Sequence, residues 1–137
     1  MSAQHASPVT GFSHVQLLCR DVPTSERWYA TVLGAERMVA ADDGSYVALR
    51  HRASGTVVVL SSAPEGHAGA SGPLDHLAFA VPDGDALEAW AAHLTREGID
   101  HPGIVDELGK PSLQLRDPDG VAIELVAPSR RESTARS

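Results

Sequence analysis

The 137-residue chain has a single cysteine, Cys19, so an internal disulfide and a cysteine-rich zinc site are both excluded. No stretch approaches the roughly 18 consecutive apolar residues that span a bilayer. Basic residues are scarce, with 11 Lys and Arg against 18 Asp and Glu, a net charge of −7. That deficit argues against nucleic acid or an anionic membrane as partner, because both require a cationic footprint. It suits cationic small molecules. Residues 1–10 show neither the basic nor the apolar region of a secretory leader, so the expected address is cytoplasmic. Apolar residues make up 42% of the chain, enough for one packed domain at this length.

The organising feature is an internal repeat. His14-Val15-Gln16-Leu17-Leu18-Cys19-Arg20-Asp21 matches His76-Leu77-Ala78-Phe79-Ala80-Val81-Pro82-Asp83 at an offset of 76 − 14 = 62, and Trp28 falls on Trp90 at the same offset. Gly55 to Leu60 then matches Gly120 to Leu125 at an offset of 65, which a three-residue insertion in the second half explains. The chain divides into modules 11–62 and 73–127, joined by a linker at 63–72 of Gly, Ala, Ser and Pro character. Residues 1–10 form an N-terminal extension, and 128–137 a flexible polar tail.

Each module reads as strand, helix, then three strands. Alternation predicts a first strand near 12–19 and later ones near 36–41, 45–51, 56–62, 75–81, 103–107, 111–117 and 121–127. The first helix, near 24–33, has Asp21 or Thr24 as its cap and Gly34 as its stop. For the second, Asp85 and Glu88 have capping-box spacing. Leu87, Trp90, Ala91 and Leu94 then form its apolar stripe.

Strand period places Leu77, Phe79 and Val81 toward the helix, with His76, Ala78 and Ala80 on the other face. In the last strand Val121, Ile123 and Leu125 face the core and Glu124 faces away. The repeat sets His14 beside His76. Each of these three is by itself an ordinary strand residue; together, at repeat-related positions on one face, two imidazoles and a carboxylate form a ligand set for a divalent first-row metal. Such a set leaves coordination positions for Lewis-acid chemistry. The same face carries Gln16, Tyr46, Arg50, Ser112, Gln114 and Arg116. Arg50 or Arg116 could hold a carboxylate or enolate oxygen, and Tyr46 could donate a proton or serve as a stacking platform.

These residues carry a resemblance. The duplicated unit, the His-Val-Gln-Leu opening, Trp28-Tyr29 before Val32-Leu33-Gly34, and Asp117-Pro118-Asp119-Gly120 leading into Ile123-Glu124-Leu125 resemble the vicinal oxygen chelate superfamily over residues 11–127. This is the glyoxalase, bleomycin-resistance and extradiol-dioxygenase group. The resemblance implies an α+β fold in which two tandem βαβββ modules form a curved mixed sheet around a cavity. It also implies a homodimer and a metal site at His14, His76 and Glu124, with His14 facing His76 and Glu124 of a second subunit. The metal would be Fe(II), Mn(II), Ni(II) or Zn(II).

Departures from the family patterns narrow the reaction. Val59 stands where a four-ligand glyoxalase I would carry an acid. Gln114 stands where extradiol dioxygenases and fosfomycin-modifying members carry tyrosine, and residues 106–110 hold no histidine. The expectation is a metal-dependent enzyme on a small oxygen-rich substrate, of lyase, isomerase, transferase or dioxygenase type. Tyr46, Gln114 and Arg116 are its candidate catalytic groups, and Gln16, Arg50 and Ser112 its substrate contacts. The alternative is a non-catalytic drug or natural-product binding protein. Trp28 and Trp90 read as core anchors, Cys19 as a small buried hydrophobe, and His5, His51, His67, His93 and His101 as surface residues. The acids of the Asp117–Gly120 segment read as turn chemistry.

Overall fold

The computed structural model describes residues 8, 10–67, 69 and 72–129. His5 and most of the expected extension and tail lie outside the described residues. The first module contributes β1 (Val15–Cys19), α1 (Val22–Leu33), β2 (Glu36–Ala40), β3 (Tyr46–Arg50) and β4 (Val57–Ser62). The second contributes β5 (Leu77–Ala80), α2 (Gly84–Arg96), β6 (Val105–Glu107), β7 (Lys110–Arg116) and β8 (Ala122–Val126). Each module makes its own four-stranded sheet, ordered β1-β4-β3-β2 and β5-β8-β7-β6. The first strand of each runs parallel to the last, and the remaining pairs are antiparallel. Gln16 lies opposite Val59, and Ala78 opposite Glu124, so the duplication holds residue by residue in the ladder. No helix among the described residues is long and apolar enough to cross a membrane.

Local chemistry sets the helix limits. Asp21 caps α1, its carboxylate accepting the Thr24 N–H at 3.0 Å. Gly34 ends that helix in the left-handed region at φ 68°, which a side chain would resist. The cap of α2 is Asp83, which accepts the Ala86 N–H at 2.8 Å, and not Asp85. Asp85 lies inside the first turn, where its charge still favours the helix N-terminus. The apolar stripe behaves as expected at Leu87 and Leu94, both fully buried.

One core joins the modules. Leu17, Val47, Leu49, Val58 and Leu60 of the first sheet and Leu113, Leu115, Ile123 and Leu125 of the second are all buried against α1 and α2. Cys19 belongs to this core, its thiol contacting the Leu17 carbonyl at 3.7 Å. Burial pushes that thiol up to about 11. The thiolate fraction at neutral pH thus falls about 100-fold below that of an ordinary cysteine. A thiol reagent is therefore expected to label the folded protein at least about 100-fold more slowly than the urea-unfolded chain, which a colorimetric time course would read.

The Asp117–Gly120 turn does more than reverse the chain. The Asp117 carboxylate accepts the Tyr29 hydroxyl at 2.6 Å and the N–H groups of Asp119 and Val121 at 2.9 and 2.8 Å. Asp119 accepts the backbone N–H and Nε of Arg20 at 2.9 and 3.0 Å, and the Ser25 hydroxyl at 3.2 Å. Both acids are buried, and together they fasten α1 and the end of β1 to the second module. Burial alone would raise the Asp119 carboxyl, but the Arg20 and Ser25 hydrogen bonds and the Arg20 charge outweigh it and hold the group below the usual carboxylate range. A carboxyl depressed in the folded state stabilises above its unfolded pKa of about 3.9 and loses that contribution as pH falls through the folded value. The urea midpoint should accordingly decline as pH is lowered from about 5 toward 3, and the decline should be shallower in Asp119→Asn.

Candidate metal centre

β5 and β8 place the candidate ligands side by side. Ala78 pairs with Glu124, so His76, one residue before β5 and two before Ala78, shares its face. His76 Nε2 lies 3.4 Å from Glu124 Oε2. Its other nitrogen, Nδ1, is 2.8 Å from Asp75 Oδ2. A carboxylate at Nδ1 keeps the proton there and leaves the Nε2 lone pair for a cation, an orientation common to metal-bound histidines. The Asp75 hydrogen bond, then the charge of Glu124, raises the His76 pKa.

The donor set fits a divalent ion. Two ligands about 2.1 Å from one metal, at tetrahedral or octahedral angles, stand about 3.0–3.4 Å apart, which is the His76–Glu124 separation. Glu124 is half-buried and His76 exposed, so the open side of the pair is reached by solvent. His14 is placed elsewhere. It is exposed, one residue before β1, and its Nδ1 is 2.9 Å from the Ser13 hydroxyl. Among the described residues of one chain, no three His, Cys, Asp or Glu side chains gather closely enough to hold a metal. The structure brings two of the three expected ligands together and leaves the third on the other sheet.

Around the pair opens a cleft of about 1000 Å³. Asp75, His76, Gln114, Arg116 and Glu124 line one side, and Trp28 with residues 98–102 the other. The Gln114 side chain donates to Glu107 at 2.8 Å, and Arg116 to the Gly120 carbonyl at 3.0 Å. Ser112 is fully buried, its hydroxyl has no hydrogen-bond partner, and it does not line this cleft. Gln16 is on β1, donating to Ser61 at 2.7 Å, and lines a smaller neighbouring pocket with Arg116. Tyr46 and Arg50 are exposed on β3 of the first sheet. The expected substrate side chains therefore divide between two sheet faces.

Several residues differ from their sequence readings. Trp28 is half-buried and lines the cleft while packing edge-on against Tyr29 at 4.8 Å. His93 is half-buried rather than a surface residue and bonds the Thr31 carbonyl, tying α2 to α1. His101, also half-buried, is held between Thr95 and the Gly103 N–H. Neither Asp75 nor Asp100 was expected in the cleft. Asp75 carries a signal in its place directly before the ligand histidine, whereas Asp100 and His101 come from a loop whose path the strand pattern does not reveal.

Comparison with known proteins agrees with this architecture. The family model described as the glyoxalase/bleomycin resistance protein/dioxygenase superfamily matches residues 11–125. The candidate ring-cleaving dioxygenase MhqA of Bacillus subtilis (strain 168) is 37% identical over 54 residues. That match takes in 39% of this chain and only 17% of the longer MhqA. A glyoxylase/bleomycin resistance protein/dioxygenase domain from Frankia sp. EAN1pec superposes with a TM-score of 0.79 at 25% identity, over 95% of this chain and all of its own. A variant of the fosfomycin resistance protein FosX from Listeria monocytogenes was solved with Mn(II) and 1S,2S-dihydroxypropylphosphonic acid. It gives a TM-score of 0.73 at 16% identity, over 94% of this chain and all of its own, a likeness of fold alone. With a family model spanning both modules, this chain belongs to the glyoxalase/bleomycin resistance protein/dioxygenase superfamily.

Proposed function

We propose that the chain is a divalent-metal-dependent enzyme of the vicinal oxygen chelate type, acting on a small oxygen-rich substrate. The observation that carries the reading is the His76–Glu124 pair at 3.4 Å, with Asp75 at the far nitrogen of the imidazole. His76 and Glu124 of one subunit and His14 of a second copy would hold the ion. The outer face of the first sheet supports a second copy, because Leu18, Met38, Val39 and Tyr46 are 40–56% exposed there or on its edge strand. Apolar side chains gathered at a surface mark an interaction site.

When bound, the metal would supply a Lewis acid to the substrate oxygens. The protein's own groups do the rest. Asp75 holds the proton on His76 Nδ1 and so fixes the imidazole. Gln114, braced by Glu107, presents its amide beside Glu124, across the ladder. Arg116 uses Nη1 on the Gly120 carbonyl and keeps its other N–H groups for a substrate carboxylate or enolate oxygen. Gln16, Tyr46 and Arg50 would reach the substrate from the first sheet of the second copy, with Tyr46 placed to give or take a proton. Ser112 would contact substrate only if ligand binding opened its buried position.

Elemental analysis of protein purified without chelator tests the proposal. About one divalent ion per chain is expected, reduced at least about 100-fold in affinity by His76→Ala, since even outer-shell losses cost 10–100-fold. Less than a tenth of an equivalent after reconstitution would favour the non-catalytic binding reading instead.

A further inference from the structure

The two modules differ at one point where the repeat makes them comparable. Gly34 and Gly98 each follow a helix, at an offset of 98 − 34 = 64. After Gly34 the chain enters β2 and pairs along β3, from Glu36 opposite Arg50 to Ala40 opposite Val47. The matching residues, 100–104, form no strand. β6 starts at Val105, and its ladder with β7 ends where Val105 meets Ser112.

The sequence explains the break. Pro102 has no N–H to donate, and Gly103 turns the chain at φ 89°. A continued ladder would set Gly103 opposite Gln114, yet the Gly103 N–H donates to His101 Nδ1 at 3.2 Å. His101 is itself held by Thr95, Nε2 to Oγ1 at 2.9 Å. The chain therefore leaves the sheet and becomes the far wall of the cleft.

An open strand edge remains. The bonds from Asp117 N–H to the Val121 carbonyl and from Ala127 N–H to the Pro111 carbonyl fix the phase of β7 against β8. Odd-numbered residues of β7 point their backbone groups at β8, so those of Gln114 and Arg116 point to the missing strand. Among the described residues they have no backbone partner on that side. They open onto the cleft, among the carboxylates of Asp75, Asp100 and Glu124, with Glu107 on the Gln114 side chain. Arg116 is the sole Lys or Arg in that lining, and its guanidinium is engaged by Gly120.

We propose that this edge of β7 binds an extended, cationic, amide-bearing chain as an added strand, through the backbone N–H and C=O groups of Gln114 and Arg116. Unmet strand edges recognise ligands through main-chain hydrogen bonds, with charge and side-chain pockets setting the choice. The proposal rests on the cleft being the substrate site but requires no metal. The shared chemistry covers both a ribosomal peptide and a peptide-like small molecule.

The test uses metal-free, ¹⁵N-labelled full-length protein and three tripeptide probes. These are N-acetyl-Lys-Val-Lys-amide, its N-methyl-valine analogue and N-acetyl-Glu-Val-Glu-amide. The Lys probe should shift the Gln114 and Arg116 amides saturably and slow their hydrogen exchange at least about tenfold at saturation. N-methylation should weaken binding at least about tenfold, and the Glu probe should not bind. Asp100→Asn should weaken the Lys probe about two- to fivefold, the range of an exposed ion pair, with Tm unchanged. Equal binding of the N-methyl or Glu probe would overturn the proposal. So would protection of both amides in the free protein, which would show that a second copy or the chain itself covers the edge. Because no metal is present, failure here leaves the metal reading intact, and failure of metal binding leaves this one intact.

Discussion

An equimolar mixture of His14→Ala and His76→Ala chains, unfolded and refolded together, is expected to recover about a quarter of the wild-type metal content, although neither variant alone binds appreciably. Random pairing in a two-fold dimer makes half of the assemblies mixed. If each site takes His14 from one subunit and His76 with Glu124 from the other, a mixed dimer has one intact site and one lacking both histidines. Half of the dimers with half of their sites gives that quarter. A site made within one chain would be broken in every subunit, and the mixture would hold no more metal than its components. The prediction follows from the separation of His14 from the His76–Glu124 pair and from the absence of a three-ligand group among the described residues. Metal content after gel filtration gives the measurement.

Asp117→Ala is expected to cost about 3–5 kcal/mol in urea unfolding, because three donors lose a buried acceptor at once. Those donors are the Tyr29 hydroxyl and the N–H groups of Asp119 and Val121. Tyr29→Phe removes one donor and leaves the carboxylate two others, so about 1.5–3 kcal/mol is expected. Against a typical total of about 5–15 kcal/mol, the alanine variant should stand near the limit of folding at 37 °C. A loss within about 0.5 kcal/mol of zero for Asp117→Ala would show that water replaces the carboxylate and that the turn is not a fastening between modules.

The architecture could be read in the sequence because its signals are local or repeated. An offset of 62 residues carries His14 onto His76 and Trp28 onto Trp90, and the ladder reproduces it in the pairs Gln16–Val59 and Ala78–Glu124. Strand period alone put Glu124 on the face of Ala78, since alternate residues of a strand share a side whatever the fold. The cap of α2 was misplaced by two residues because Asp83 and Asp85 are both good caps, and only backbone geometry distinguishes them.

The chain by itself determined the two βαβββ units, the core face of each strand and the adjacency of His76 to Glu124, all through short-range periodicity and duplication. Tertiary structure decided the remainder. It turned Asp117 and Asp119 from turn residues into a clasp on α1, sent residues 98–102 away from β7 to wall the cleft, and left His14 on a separate sheet. Those outcomes depend on how two modules pack across long sequence separations, where a contact forms from the balance of burial, hydrogen bonding and chain path, and no local pattern encodes that balance.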